Sequence, residues 1–409
     1  MSLNLRSLTS ALLRRRAGAV LVALQVAIAL AIMVNAVYIV QQRVTWIVRP
    51  TGIDVTHLFV ISSSSLASRP DAGHAIEEDL AYLRSLPNVI SATASNSVPF
   101  NLGGNIGIWL RPGHQGREFN PRYLIMDSAG LGTLGAHLLA GRNFKPEEIR
   151  PPDTADDLGD FVSVLIVSRA FARALFPSGS AVGKVVYFEN GRPVTIIGII
   201  DDLRVARASA SAGDLLAIFP SLPSATSTVD YLVRTRAGER DAVMRDAALH
   251  LADSNPDRVI NWARPLTFFK WNADAEDRNT AICLTVITAL LLAITCLGIF
   301  GLVTFNVSSR TKQIGTLRAV GARRRDVVAH FMVENAIVLT TGVLTGCALA
   351  LAVGYWLSLR YGLPRLDLYY LVSGVVALWV VGQLAAWHPA PRRIGAAVGS
   401  HAHGMTPFR

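Results

Sequence analysis

Two glycine-rich turns and two histidine groupings are the places in this 409-residue chain where residue type and spacing could do chemistry. Gly130–Gly135 reads GLGTLG, the spacing of a dinucleotide-binding turn, and it follows the strand-like YLIMD. A dinucleotide site also needs a following helix in a βαβ frame, and AHLLAGRNFKPEE offers at most a short helix before Gly141 and Pro146. SGSAVGKVV resembles a phosphate loop, but Ser178 stands where the first glycine is needed and Val185 replaces the magnesium-binding Ser or Thr. Neither turn is expected to hold a nucleotide, and no Walker motif occurs anywhere in the sequence.

His74 with Glu77 and Glu78, and His401 with His403, are the tight groupings of metal-ligating types. Neither supplies the three or four ligands of a protein metal site, so no metal is expected. No G-x-S-x-G is present, and Cys283, Cys296 and Cys347 all fall in apolar runs rather than beside a histidine. No catalytic residue follows from the sequence. The expectation is a non-enzymatic chain with no bound cofactor.

The elements that would carry these residues are those of a membrane protein. The chain is 51% hydrophobic, with a mean hydropathy of +0.38. Four apolar runs approach the ~20 residues needed to span a bilayer: residues 17–40, 279–307, 331–357 and 368–388. The first is too long for a signal-peptide core despite Arg14, Arg15 and Arg16 before it, and reads as an uncleaved anchor. Gln25, Asn35 and Gln383 are the notable polar residues inside the runs and read as helix-packing contacts. No ionisable group lies near the middle of a run, unlike the pattern of an ion-coupled transporter.

Charge sets the orientation. Residues 41–278 carry 24 basic and 26 acidic side chains; the rest of the chain carries 15 basic and 3 acidic. Short basic segments stay in the cytoplasm. Residues 1–16, 308–330 and 389–409 are therefore placed inside, with residues 41–278 and the loop 358–367 outside. The pI of 9.9 then follows from topology and calls for no nucleic-acid partner.

The large external stretch has two similar ends. THLFVIS, HAIEEDLAYLRSLPN and VISATAS form one β-α-β unit; DYLVRTR, GERDAVMRDAALHLADSNPDR and VINWAR form another. Ile76, Leu80 and Leu83, like Val243, Ala247 and Leu251, repeat at helical spacing. Two such units suggest a ferredoxin-like α+β sheet. Between them, about residues 99–228, short strands and turns indicate an inserted subdomain. Asn190-Gly191 marks a hairpin and Pro177 stops a helix. LTFFKWNADAEDRN contains no breaker and reads as a continuous helical stalk. The fold class is thus four transmembrane helices plus a large extracytoplasmic α+β domain. Gly342, Gly346 and Ala350 are small enough to let helices approach closely, within one chain or between two.

One cytoplasmic segment stands apart. In TKQIGTLRAVGARRRDVV, Ile314, Leu317 and Gly321 fall on one side of a short helix, which Gly321 can end. Arg323, Arg324 and Arg325 then open the helix of the third run, where cations oppose the helix dipole. That placement points to a contact rather than to helix stability.

The same stretch carries a family resemblance. SSRTKQIGTLRAVGARRRDVVAHFMVENAIVL resembles the segment after the second span of MacB/FtsX-type ABC-transporter permeases. Arg310, Lys312, Ile314, Gly315, Leu317, Arg318, Ala319, Gly321 and Ala322 match its pattern, as does Glu334 at the third span; Gln313 replaces the usual glutamate. LLAGRNF, LIVSRAFARALFP, AVGKVVYF and VTIIGIID are similar to the periplasmic domain of MacB-like members, and HPAPRRI to their basic tail. The resemblance implies a permease of the bacterial inner membrane, with both termini cytoplasmic, working by mechanotransmission. It implies a cytoplasmic ABC ATPase that binds ATP and Mg, and a second permease chain, identical or sister. A periplasmic adaptor and an outer-membrane channel are further partners of the family. MacB carries a fused ATPase; this sequence begins at Met1 without room for one, so the ATPase is expected on a separate polypeptide. Lys312, Gln313, Ile314, Leu317, Arg318, Gly321, Ala322, Arg323, Arg324 and Arg325 are the implied ATPase-coupling residues. The implied work is export of a periplasmic peptide or small molecule. Lipoprotein extraction and control of cell-wall hydrolases are alternatives within the family, and a non-transporting membrane sensor is the alternative outside it.

Overall fold

The computed structural model describes residues 16–65, 72–102, 104–113, 115–149, 162–204, 215–223, 228–309, 324–361 and 366–387. The chain divides into two units, Trp46–Arg278 and the remainder on either side of it.

The first unit is helical. Helix α1 runs over Arg16–Val48, outlasting its apolar run by two turns, because a helix needs backbone bonds rather than apolar side chains to continue. The second and third runs likewise lie in longer helices, Ala275–Ser309 and Arg324–Tyr361. The fourth is the helix Leu368–Trp387. Among the described residues, three helices meet the length and hydropathy of a membrane span: Gly18–Val48, Ala275–Gly301 and Met332–Arg360; the apolar helix Leu368–Leu384 is shorter. Their shared core is Val22, Val26, Leu30 and Val34 of α1 against Ile299, Val338, Leu339, Val343, Leu371 and Leu378.

The α+β unit is a stack of four layers. Strands β1 (Leu58–Ser65) and β2 (Val89–Ser95) flank helix α2 (Ala72–Ser85). Six strands of an insert follow: β3 (Ile108–Trp109), β4 (Glu118–Phe119), β5 (Arg122–Met126), the short helix α3 (Gly130–Leu134), β6 (Leu138–Gly141), β7 (Val164–Ser168), helix α4 (Arg169–Leu175) and β8 (Val185–Phe188). Next come β9 (Pro193–Ile200), β10 (Leu216–Pro220), β11 (Val229–Thr235), helix α5 (Arg240–Ser254), β12 (Arg258–Pro265) and helix α6 (Leu266–Ala273). The Ala275–Ser309, Arg324–Tyr361 and Leu368–Trp387 helices are α7, α8 and α9.

The outer sheet has the order β12-β1-β11-β2, all antiparallel. This is the ferredoxin-like interleaving of two β-α-β units. Its two faces are set by strand alternation. Phe59, Ile61, Tyr231 and Val233 turn toward Ile76, Leu80 and Leu83 of α2 and Val243, Ala247 and Leu251 of α5. Leu58, Val60 and Leu232 turn the other way, onto Leu124, Met126, Ile166 and Ile218 of the insert sheet. The insert sheet, β4-β3-β8-β9-β7-β10-β5 with β6 also on β9, covers its far face with Phe171, Ala172 and Leu175 of α4. Strands buried on both faces read as unbroken apolar runs, which is why VLIV and VTIIGII carry no alternation. The hairpin at Asn190-Gly191 forms, with Gly191 at φ +77°.

Two expectations need correction. The residues after GLGTLG form strand β6, not a short helix, because Leu138–Gly141 pairs with β9 and Gly141 packs against the Ile197 carbonyl where no Cβ would fit. The expected continuous stalk is interrupted at Asp274, between α6 and α7, where the carboxylate is engaged by two cations.

Candidate functional site

The coupling residues inferred from the sequence lie almost wholly outside the described residues. Lys312, Gln313, Ile314, Leu317, Arg318, Gly321, Ala322 and Arg323 fall there; Arg324 and Arg325 are the first two residues of α8. His401 and His403 also lie outside. What is described are the helices that leave and receive that segment and the chain junctions at the other end.

In the helical unit Asn35 and Gln25 close on the backbone, whereas the buried amide of Asn335 on α8 has no hydrogen-bond partner among the described residues. Asn35, 6% exposed, donates from Nδ2 to the Ala31 carbonyl at 2.9 Å and to the Ala350 carbonyl of α8 at 3.1 Å. Gln25 Nε2 donates to the Ile294 carbonyl of α7 at 2.9 Å. With few partners in an apolar surround, such bonds hold helices in register. Gly342 and Gly346 are spent inside the chain: a Cβ on either would stand 2.7 Å from the Ala23 carbonyl or 2.9 Å from the Ala27 carbonyl of α1. Gly298 packs the same way on the Gln25 amide. Of the two readings of the small-residue stripe, contact within one chain is the one realised. By contrast α7 shows Ile282, Val286, Leu290, Ile294 and Leu297 outward, more than half exposed.

In the α+β unit, one junction is built around Arg204. Its Nη1 donates to the Trp46 carbonyl at 2.8 Å and its Nη2 to Asp274 Oδ1 at 2.7 Å. Lys270 Nζ donates to the other Asp274 oxygen at 3.0 Å, and the Phe100 ring lies 5.6 Å from the guanidinium. The chain between Trp46 and β1 is pinned again at Asp54, which accepts from Arg234 at 2.8 Å and is 2.8 Å from His57 Nδ1. Burial alone would raise the Asp54 carboxyl, but the bonds from His57 and Arg234 outweigh it and hold it below the usual range. A third tie, Arg84 to Asp127, joins α2 to the end of β5, with Thr93 donating to Asp127 at 2.7 Å. Charges that bond at two or three points fix geometry rather than supply net stability.

The glycine motifs are absorbed into this framework. Gly130–Leu134 is a five-residue helix ended by Gly135 at φ +72°, and Arg234 Nη1 caps it at the Gly132 carbonyl, 3.1 Å away. Lys184 stands at the turn into β8, its amide bonded to the Ala181 carbonyl. His74 sits 3.7 Å from Glu77 on an exposed helix face. Among the described residues no three His, Cys, Asp or Glu side chains come together as a metal site. Sequence reasoning missed Arg204 and Asp274, which lie 70 positions apart and belong to no motif. The available signal was an aspartate in the middle of a helix-permissive segment.

Comparison with known proteins agrees with this architecture. Residues 19–250, more than half of the chain, match the MacB-like periplasmic core domain family, and residues 285–397 match the FtsX-like permease C-terminal family. The pyoverdine export ATP-binding/permease protein PvdT of Pseudomonas aeruginosa is 24% identical over 355 residues, 82% of this chain and 48% of that one. The macrolide export ATP-binding/permease protein MacB of Campylobacter jejuni is 26% identical over 254 residues, 58% of this chain and 38% of that one. The chain thus spans less than half the length of either relative. The periplasmic region of MacB from Actinobacillus actinomycetemcomitans, a crystal structure, aligns over 55% of this chain and 96% of that one with 15% identity and a TM-score of 0.33. The two family matches extend from residue 19 to residue 397, and the chain belongs to the MacB/FtsX-type ABC-transporter permeases.

Proposed function

We propose that this permease works by mechanotransmission: a separate cytoplasmic ATPase hydrolyses ATP with Mg, and α1 and α7 carry the motion to the periplasmic α+β unit. The observation that supports it most is the bundle's interior. Its Asn35 amide ends on backbone carbonyls, and apart from Glu334 and Asn335, buried in α8, its core is mainly apolar side chains and close-packed glycines. Such an interior suits the passage of force better than of a polar solute. The protein sits in the bacterial inner membrane with both termini cytoplasmic. Residues 311–325 press on the ATPase. A second permease chain meets the outward apolar face of α7, since the α8 glycines are occupied. The relatives' names, macrolide export and pyoverdine export, support export of a small molecule; a periplasmic source, an adaptor and an outer-membrane channel are added as the resemblance implies.

The test is isolation of the native complex. An ABC ATPase should co-purify, with its turnover changed by the permease. Leu317→Asp should leave insertion and the α+β unit intact while weakening ATPase binding about tenfold or more, because a carboxylate in an apolar contact costs more than the ~1.4 kcal/mol of one decade. If that variant binds the ATPase normally and exports at the full rate, residues 311–325 are not the coupling element.

A further inference from the structure

Trp46, in the last turn of α1, and Asp274, one residue before α7, both belong to the α+β unit. They are the points where the chain leaves one long helix and enters the other. A single side chain holds both. Arg204 is 4% exposed, as is the Asp274 side chain. Its two terminal nitrogens are divided between the Trp46 carbonyl and the Asp274 carboxylate. The Arg204 amide also donates to the Thr51 carbonyl at 2.9 Å, in the connector that follows α1. That connector is pressed onto the segment after β9 that carries Arg204: a Cβ at Gly52 would lie 2.8 Å from the Asp202 carbonyl.

The chemistry suits the geometry. Carbonyls in the last turn of a helix lack intrahelical partners, and a cation there is favoured by the dipole. The guanidinium is a rigid planar fork, so two acceptors bonded to it keep a fixed separation. Asp274 is also where the expected stalk helix is interrupted, and its carbonyl accepts from the Arg278 amide of α7 at 2.9 Å, so a hold on this residue reaches the first turn of α7. A buried ion pair adds little net stability over an apolar pair of the same volume, which leaves geometry as its contribution.

We propose that Arg204 is a positioning residue that locks the exit of α1 and the entry of α7 to each other and to the insert sheet, so that both helices act on the α+β unit as one. Its working role rests on the mechanotransmission reading; the lock itself does not. Arg204→Met alone would strand a buried carboxylate, so the primary variant is Arg204→Met with Asp274→Asn, which removes both charges together.

The full chain, in lipid nanodiscs with its co-purified ATPase, is followed by hydrogen–deuterium exchange. In the double variant, amides of residues 46–54 and 270–278 should exchange together about tenfold faster or more, while β1, β2 and β11 stay protected. Loosening on one side only, or on neither, overturns the lock. ATP should then alter exchange across the α+β unit of the wild type. In the double variant, hydrolysis should continue and that alteration should vanish. An equal response in both proteins overturns the working role of Arg204 alone. A wild-type α+β unit silent to ATP during active hydrolysis overturns the mechanotransmission reading and the working role with it, and leaves the lock to be judged by the exchange of the two junctions.

Discussion

Asp230 stands on β11 between Ser62 of β1 and Ser95 of β2, on the face turned toward the insert sheet. It is 7% exposed, and neither its Oδ1 nor the Ser95 hydroxyl has a hydrogen-bond partner. Burial pushes its carboxyl up to about 6, against the opposing bond from Ser62. The folded value lies above the unfolded one, so the fold favours the protonated form. Stability therefore falls as pH rises through the interval from about 4 to 6, and the cost is complete above it. Asp230→Asn should remove that cost and offer Ser95 a donor. Thermal unfolding at pH 7.5 should show a gain of up to about 3 kcal/mol, shrinking toward zero near pH 4; equal melting at both pH values would mean that Asp230 does not carry a buried charge. DYLVRTR is legible as a strand, but which face Asp230 takes is not. A one-residue shift of register would have turned it onto the face covered by α2 and α5, and the register is fixed by β1 and β2, far away in sequence.

At the scale of elements, glycine placement on α8 decides how α1 packs. Gly346→Leu would push a side chain into the Ala27 backbone and the Leu30 Cβ, 3.1 Å away. Overpacking of this kind costs about 1–3 kcal/mol. The purified variant should lose its fold at lower temperature in a detergent melting assay. Leu344→Ala, at a position 67% exposed on the same helix, should melt like the wild type. If the two variants behave alike, the α1–α8 contact is not what those glycines serve. The long helices were legible because an apolar run of span length has few other readings. The helices α2 and α5 were legible because Ile76, Leu80, Leu83, Val243, Ala247 and Leu251 recur at helical period, and all six are buried. Strand order in the insert was not, since β5, β7, β9 and β10 are short apolar runs with nothing local to rank their partners. The tie at Asp274 was hidden for the same reason: its partner, Arg204, is distant in sequence. The coupling residues 311–325 remain a reading of pattern and resemblance.

For the whole molecule, charge asymmetry makes a testable statement of orientation. Cysteines would be placed at Glu189, exposed beside the β8–β9 turn, and at Arg324, in a chain whose Cys283, Cys296 and Cys347 have been replaced. Glu189 is preferable to Gly191, whose φ of +77° disfavours a side chain. A membrane-impermeant thiol reagent should label Glu189→Cys in intact cells and reach Arg324→Cys only after the membrane is opened. Labelling of Arg324→Cys in intact cells would reverse the orientation that the basic segments imply.

The sheet order β12-β1-β11-β2 also has a consequence for how the protein is made. Strand β1 is synthesised early, yet both of its neighbours come from the far end of the insert, with β11 beginning roughly 160 residues later. At the usual ~5–20 residues per second of translation, β1 waits on the order of ten to thirty seconds with both edges open. The insert sheet draws its strands from residues 108–220 and can close before then. The nascent chain thus builds its inner layer first and must keep an apolar strand, LFVI, out of wrong pairings until its partners arrive. A stall in synthesis between residues 220 and 258 would leave an unpaired edge in the compartment where this domain folds, which is the common origin of aggregation in sheet proteins of high contact order.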